Sequence, residues 1–124
     1  STAVQYNLPI KIFILNNEYM GMVRQWQELL HEKNYSESYT AALPDFVKLA
    51  EAYGCVGIQA TKPDELDEKI NEMINTKEPV IFDCRVDPAE NCFPMIPSGK
   101  PHNQMLLGPE DEKEEVSDEG KTLV

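Results

Sequence analysis

Two adjacent carboxamides, Asn16 and Asn17, directly follow an apolar, β-branched run over residues 10–15. The run predicts a strand buried on both faces, which puts Asn17 at the carboxyl end of a strand, where open α/β sheets bind ligands. Gly21 follows and begins a stretch with the apolar spacing of an amphipathic helix. Oxygens from Asn17 and a nearby backbone carbonyl suit a hard cation such as Mg²⁺, and N–H groups at a helix start suit a phosphate. The pattern therefore indicates a site for a metal ion and a diphosphate.

The same residues also have a purely structural interpretation. Asn16 and Asn17 could supply turn conformations and an Asx cap, and their spacing alone leaves this choice open. Gly21 and Met22 could be a plain helix start, although a glycine there also lets a diphosphate approach the backbone closely. Because a divalent metal ion balances the charge of a diphosphate, the acidic composition of the chain does not argue against an anionic ligand.

Alternating strand and helix patterns must position these carboxamides. They predict strands at residues 10–15, 55–60 and 79–86, and helices at 21–31, 45–53 and from Thr61 onward. Gly54 is placed as the left-handed stop of the second helix, and Thr61 as the N-cap of the third. The predicted buried stripe of that third helix is Leu66, Ile70, Met73 and Ile74. Strands separated by helices imply an α/β fold, a parallel sheet with flanking helices.

The pattern changes towards the carboxyl end of the chain. Residues 87–109 contain five prolines, so an irregular segment is expected there. Residues 110–124 are rich in acids and lack aromatic side chains, which predicts a disordered tail, with an acidic docking tail as the alternative. The predicted organisation is a partial α/β domain over residues 1–86, a Pro-rich segment over 87–109 that could cover the active site, and an acidic tail over 110–124.

Composition argues against several classes of partner. The net charge of −11 argues against nucleic acid, because phosphates require a basic binding face. No apolar run approaches the roughly 20 residues of a membrane-spanning helix, so no membrane partner is expected. Three cysteines without disulfide or zinc spacing favour a reducing compartment, the cytoplasm. The chain starts without methionine, in a pattern typical of a helix already in progress, which predicts a piece of a longer protein.

Two separate segments resemble one enzyme family. Residues 15–26, Leu-Asn-Asn-Glu-Tyr-Met-Gly-Met-Val-Arg-Gln-Trp, resemble the end of the thiamine diphosphate motif, which opens with Gly-Asp-Gly and closes with Asn-Asn. More narrowly, they are similar to the catalytic large subunit of acetohydroxyacid synthase, also called acetolactate synthase. Residues 90–99, Glu-Asn-Cys-Phe-Pro-Met-Ile-Pro-Ser-Gly, resemble a segment near the carboxyl end of that subunit. The resemblance covers roughly residues 1–108 and implies the distal part of the C-terminal thiamine-diphosphate-binding domain.

The resemblance implies a role for each candidate site residue. Asn17 is implied as a Mg²⁺ ligand through its side-chain oxygen, and Tyr19 as a ligand through its backbone carbonyl. Gly21 and Met22 are implied in cofactor binding, and Met22 and Trp26 in a substrate pocket that favours the second 2-oxo acid. Periodicity alone instead favours a core position for Trp26, on one helical face with other apolar residues.

The resemblance also implies an activity for the parent protein. The parent condenses pyruvate with a second 2-oxo acid, pyruvate or 2-oxobutyrate, with loss of CO₂, in the biosynthesis of isoleucine, valine and leucine. Its implied cofactors are thiamine diphosphate, Mg²⁺ and, through a domain not in this sequence, FAD. Its implied assembly is a homodimer or tetramer of catalytic subunits with a small regulatory subunit.

Part of the family's machinery is missing from this sequence. Only 15 residues precede Asn16, so the Gly-Asp-Gly half of the motif and its aspartate ligand are not present. The family glutamate that hydrogen-bonds the aminopyrimidine ring belongs to another domain. No catalytic residue is therefore expected in this chain, which should be inactive alone. The alternatives are another thiamine-diphosphate-dependent carboligase, decarboxylase or oxidase, or a non-catalytic interaction module derived from one.

Overall fold

The computed structural model describes residues 1–109, and the predicted acidic tail lies outside the described residues. The helices and strands, in chain order, are α1 (Thr2–Gln5), β1 (Lys11–Asn16), α2 (Gly21–Leu30), α3 (Phe46–Tyr53), β2 (Val56–Ala60), a 3₁₀ turn (Pro63–Glu65), α4 (Leu66–Asn75) and β3 (Val80–Arg85). These elements lie close to the predicted ones. Among the helices of residues 1–109, none is long and apolar enough to cross a membrane.

The three strands form one parallel sheet in the order β1-β3-β2. Phe82 of β3 lies between Phe13 of β1 and Ile58 of β2. The rings of Phe13 and Phe82 meet edge to face, with centroids 4.6 Å apart. A parallel sheet with helices is the α/β fold that the alternating patterns predict, and that prediction is confirmed.

The chain divides into two compact units. The first unit, Ser1–Glu18 with Ala41–Pro88, contains the whole sheet together with α3 and α4. Among the described residues, the second unit takes Tyr19–Thr40 and residues 89–109, and it contains α2.

Helices cover both faces of the sheet in the first unit. On one face α4 packs against a buried cluster formed by Ile58, Ala60, Met73, Val80, Phe82 and Cys84. Position 57, a glycine, lies on the other face of the sheet, because successive residues of a strand face opposite sides. A Cβ on Gly57 would lie 2.8 Å from the carbonyl oxygen of Val47 in α3. Glycine at position 57 therefore allows the backbone of α3 to approach β2 closely.

The prediction that the first strand is buried on both faces is wrong. Ile12, Phe13 and Leu15 are 44%, 38% and 68% exposed, because β3 rather than β1 is the central strand of the sheet. In β3, by contrast, Val80 and Phe82 are fully buried. An apolar run identifies a strand, but the order of strands in the sheet decides how much of that strand is covered.

The ends of α3 follow the local sequence. Asp45 accepts the N–H of Lys48 at 3.0 Å and so caps the first turn. The same hydrogen bond is the main reason that the pKa of the Asp45 carboxyl lies below its usual value. Gly54 ends the helix at φ 77°, a left-handed conformation that favours glycine. The predicted stop at Gly54 is confirmed.

The start of α4 differs from the prediction. A 3₁₀ turn precedes the helix, so Thr61 is not its N-cap. Instead the backbone N–H of Thr61 donates to the Glu65 carboxylate at 3.2 Å. The predicted stripe is also too long by one residue, because Met73 is buried whereas Ile74 is 62% exposed. The other three residues of the stripe, Leu66, Ile70 and Met73, face the buried cluster as predicted.

Candidate functional site

A cleft of about 420 Å³ lies at the carboxyl ends of the three strands in the first unit. Its lining residues are Asn16, Asn17 and Glu18 after β1, Gln59 and Thr61 at β2, and Arg85, Val86 and Pro88 at β3. Open α/β sheets bind their ligands at this edge. Asn17 therefore lies at the carboxyl end of a parallel strand and borders a cleft, as its position in the sequence predicts.

The two carboxamides have different surroundings. Asn16 is only 5% exposed. Its amide nitrogen donates to Asp83 at 2.7 Å, and its amide oxygen accepts the N–H of Glu18 at 3.1 Å. The second bond closes an Asx turn in which Glu18 has φ 62°. The structural interpretation of the pair thus applies to Asn16, and Asn17 lines the cleft.

Sequence reasoning missed the charged groups beside this turn. Asp83 is 1% exposed in the middle of the sheet, and Gln59 donates to its carboxylate at 2.9 Å. Arg85 lies 3.3 Å from the same carboxylate and also forms an ion pair with Glu18. The signal in the sequence was a single acid inside the otherwise apolar run of β3. Such a residue is rarely buried without partners, which makes it a marker of a polar network.

The lining of the cleft fits a magnesium ion and a phosphate. Side-chain oxygens come from Asn17, Glu18 and Thr61, and hard cations prefer oxygen ligands. Arg85 also lines the cleft. Two nitrogens of its guanidinium face Glu18 and Asp83, and the group has five N–H donors in all, a geometry that matches phosphate oxygens. The side chains present are therefore compatible with both groups.

The other predicted site residues belong to the second unit, from two residues before α2 to its middle. They are Tyr19, Gly21, Met22 and Trp26. The N–H of Met20 donates to the carbonyl of Ser38 at 2.8 Å, which holds the chain just before the helix. No side chain caps the first turn of α2, and Met22 is 52% exposed. A helix start without a side-chain cap has backbone N–H groups and a partial positive charge that can bind an anion.

The apolar face predicted for α2 is only partly buried. Leu30 is 6% exposed, Val23 is 43% exposed, and Trp26 lies between these two. Leu30 is therefore in the core, and Val23 on the same face is not. Trp26 is half-buried, and its assignment to a substrate pocket stays a prediction.

Two polar residues on the buried side of α2 join both segments that carry the family resemblance. Gln25 is 1% exposed. Its side-chain oxygen accepts the N–H of Cys92 at 2.8 Å, and its nitrogen donates to the carbonyl of Cys92 at 3.0 Å. Arg24 donates to the carbonyl of Ala89 at 3.2 Å and to the Asn91 side chain at 3.1 Å. These contacts hold residues 89–92 against α2.

The Pro-rich segment has ordered contacts of its own within the second unit. Met95 and Leu106 form an antiparallel bridge with hydrogen bonds of 2.9 and 2.7 Å. Leu106 is buried, and Phe93 and Met95 are half-buried. The segment is therefore packed locally, and its role in covering a cofactor stays a prediction.

We expect Gln25→Leu to release residues 90–95 from α2. The substitution roughly keeps the volume but removes both hydrogen bonds to the N–H and C=O of Cys92, each worth about 0.5–1.5 kcal/mol. Hydrogen–deuterium exchange at Cys92 should become faster. Gln27→Leu is the matched control, because Gln27 lies on the same helix but donates to Ser36. Equal protection of Cys92 in both variants would show that Gln25 does not hold the segment.

Residues 1–84 match the family described as thiamine pyrophosphate enzyme, C-terminal TPP binding domain. The acetolactate synthase large subunit of Haemophilus influenzae is 45% identical over 91% of this chain and 20% of its own length. That of Cyanidium caldarium is 49% identical over 85% of this chain and 18% of its own length. The acetolactate synthase isozyme 3 large subunit of Escherichia coli is 46% identical over 86% of this chain and 19% of its own length. The chain thus spans about one fifth of the length of the curated relatives that it matches.

The fold has a solved counterpart as well. The thiamine diphosphate-dependent 4-hydroxybenzoylformate decarboxylase of Rhodococcus jostii superposes with a TM-score of 0.62. It is 27% identical, and the similarity covers 69% of this chain and 16% of that one. The resemblance to acetolactate synthase large subunits, inferred from residues 15–26 and 90–99, is confirmed by the relatives. The chain therefore belongs to the thiamine pyrophosphate enzyme family and carries part of its C-terminal, thiamine-pyrophosphate-binding domain.

Proposed function

We propose that this chain is the distal part of the cofactor-binding domain of an acetolactate synthase large subunit. The observation that carries the proposal is 45% identity to such a subunit over 91% of the chain. In this proposal the full-length protein condenses pyruvate with pyruvate or 2-oxobutyrate and releases CO₂, in the biosynthesis of isoleucine, valine and leucine. The chain by itself is inactive, because none of its residues acts as the catalytic acid or base.

The residues of this chain hold the cofactor in place. Asn17, through its side-chain oxygen, and Tyr19, through its backbone carbonyl, bind Mg²⁺, and the helix start at Gly21 and Met22 binds the diphosphate. The oxygen-rich cleft beside Asn17 and the uncapped start of α2 support these assignments. Thiamine diphosphate, when bound, accepts the electron density that is left on the substrate as CO₂ departs. Met22 and Trp26 exclude water and contact the second 2-oxo acid.

Further features of the proposed parent protein lie outside this chain. They are a domain that binds FAD, a homodimer or tetramer of catalytic subunits, and a small regulatory subunit. We also propose a cytoplasmic location, because the three cysteines lack disulfide spacing and so fit a reducing compartment. Gel filtration of the full-length protein, with and without a small regulatory subunit, measures the number of subunits in the assembly.

The test uses the full-length protein that contains this chain. With pyruvate, Mg²⁺ and thiamine diphosphate we expect 2-acetolactate, and with added 2-oxobutyrate also 2-aceto-2-hydroxybutyrate. The 124-residue chain alone should give neither product. Acetaldehyde as the sole product would replace this proposal with a decarboxylase, the class of the structural relative. A full-length protein that neither binds the cofactor nor turns over would instead be an interaction module.

A further inference from the structure

Asp83 is a buried charge that the proposed function does not use. It lies in the central strand and is 1% exposed, and an ionised carboxylate in that position is costly unless donors surround it. Each strand supplies one donor at its carboxyl end. Asn16 of β1 donates at 2.7 Å, Gln59 of β2 at 2.9 Å, and Arg85 of β3 lies at 3.3 Å. The carboxylate therefore ties together the strand ends that border the cleft.

The bond to Asn16 also determines which way its amide points. A carboxylate can only accept hydrogen bonds, so the Asn16 nitrogen faces Asp83 and its oxygen is left facing Glu18. That oxygen accepts the Glu18 N–H at 3.1 Å. A flipped amide would place oxygen against carboxylate and nitrogen against N–H, and both contacts would be repulsive. The charge of Asp83 thus selects the orientation that closes the Asx turn.

The turn is one that needs such support. Glu18 has φ 62°, a left-handed conformation that is unfavourable for a residue with a Cβ. Asn17 stands between Asn16 and Glu18, the two residues joined by the turn, and it lines the cleft. The backbone position from which Asn17 extends its side chain is therefore fixed by the turn.

We propose that Asp83 is a positioning residue for the metal site: it orients the amide of Asn16, which closes the turn that presents Asn17 to Mg²⁺. The proposal rests on the proposed function, in which Asn17 is a metal ligand. Groups that hold a metal ligand in place typically contribute about 10–100-fold to metal affinity. Asp83 contacts neither substrate nor metal in this account.

The test swaps the amide at position 16 with the carboxylate at position 83. In the full-length protein, Asp83→Asn should raise the Mg²⁺ concentration for half-maximal cofactor binding at least about tenfold. Asn16 and Gln59 donate to different oxygens of Asp83, so an amide at position 83 would turn its nitrogen towards one of these two donors. Asn16→Asp should also weaken binding, because two carboxylates then face each other. In the double variant the amide introduced at position 83 can donate to the carboxylate introduced at position 16, which still accepts the Glu18 N–H, so binding should recover.

Three measurements separate positioning from a general structural role. Mg²⁺ titrations with thiamine diphosphate report half-saturation, hydrogen–deuterium exchange of residues 15–20 reports the turn, and thermal melting reports stability. Phe82→Leu is the control, because Phe82 is fully buried in the same strand and belongs to the apolar cluster. It should lower the melting temperature and leave the Mg²⁺ half-saturation unchanged.

The outcomes are distinct. Faster exchange and weaker Mg²⁺ binding in both single variants, with recovery in the double variant, support the proposal. An Asp83→Asn protein that melts earlier but binds Mg²⁺ normally overturns it, as does a double variant that regains stability without regaining affinity. A wild-type protein that shows no Mg²⁺-dependent cofactor binding overturns the proposed function together with the metal role of Asp83. In that case hydrogen–deuterium exchange of residues 15–20 still decides whether Asp83 holds the turn.

Discussion

Asn17→Ala in the full-length protein should weaken Mg²⁺ and thiamine diphosphate binding together. Mg²⁺ demands a nearly complete octahedral set of oxygen ligands, and the substitution removes one of them. Because even groups that only support a ligand contribute about 10–100-fold to affinity, we expect both half-saturation concentrations to rise at least about tenfold. Activity should partly recover at high concentrations of both, since mass action compensates for the weaker site.

Two further variants make this result specific. Asn17→Asp keeps an oxygen at the same distance from the backbone and should retain much of the Mg²⁺ affinity. Asn75→Ala is the same substitution as Asn17→Ala at the exposed end of α4, outside the cleft, and should change neither half-saturation. Unchanged half-saturation in Asn17→Ala would show that Asn17 is a turn residue, as Asn16 is.

The position of Asn17 could be predicted from the sequence because it depends on local chemistry. A strand, a polar turn and a helix start follow one another within residues 10–21, and their order alone puts Asn17 at the ligand-binding edge of a parallel sheet. The stop at Gly54 was predictable for the same reason, since a helix end is decided by a few adjacent residues.

The contacts that the sequence did not reveal around the cleft and along α2 join residues that are distant in the chain. Asn16 and Asp83 are 67 positions apart, as are Gln25 and Cys92. A single sequence does not show which distant residues will be in contact. Those contacts depend on which strand becomes central in the sheet and on the path of the chain after that strand. The same cause explains the exposed surface of Ile12 and Leu15, which an apolar run alone cannot reveal. Local patterns therefore predicted the elements and the cleft, and the fold supplied the network that supports the site.

Trp26 is the residue for which a core position and a pocket position predict different results. We expect Trp26→Leu to fold and to lose about tenfold in its preference between 2-oxobutyrate and pyruvate as second substrate. The two acceptors differ by one methylene, which an apolar pocket distinguishes by only about 1–3 kcal/mol. A single large contact can supply most of that difference, and Trp26 is half-buried rather than enclosed in the core.

The measurement is a competition assay on the full-length protein, with both acceptors present and both acetohydroxy acids quantified, alongside a melting curve. Leu30→Val is the matched control, because Leu30 lies on the same face of α2 and is 6% exposed. Loss of one buried methylene there should cost about 1 kcal/mol of stability and leave the product ratio unaltered. A Trp26→Leu protein that behaves in the same way, less stable but with the wild-type product ratio, would assign Trp26 to the core.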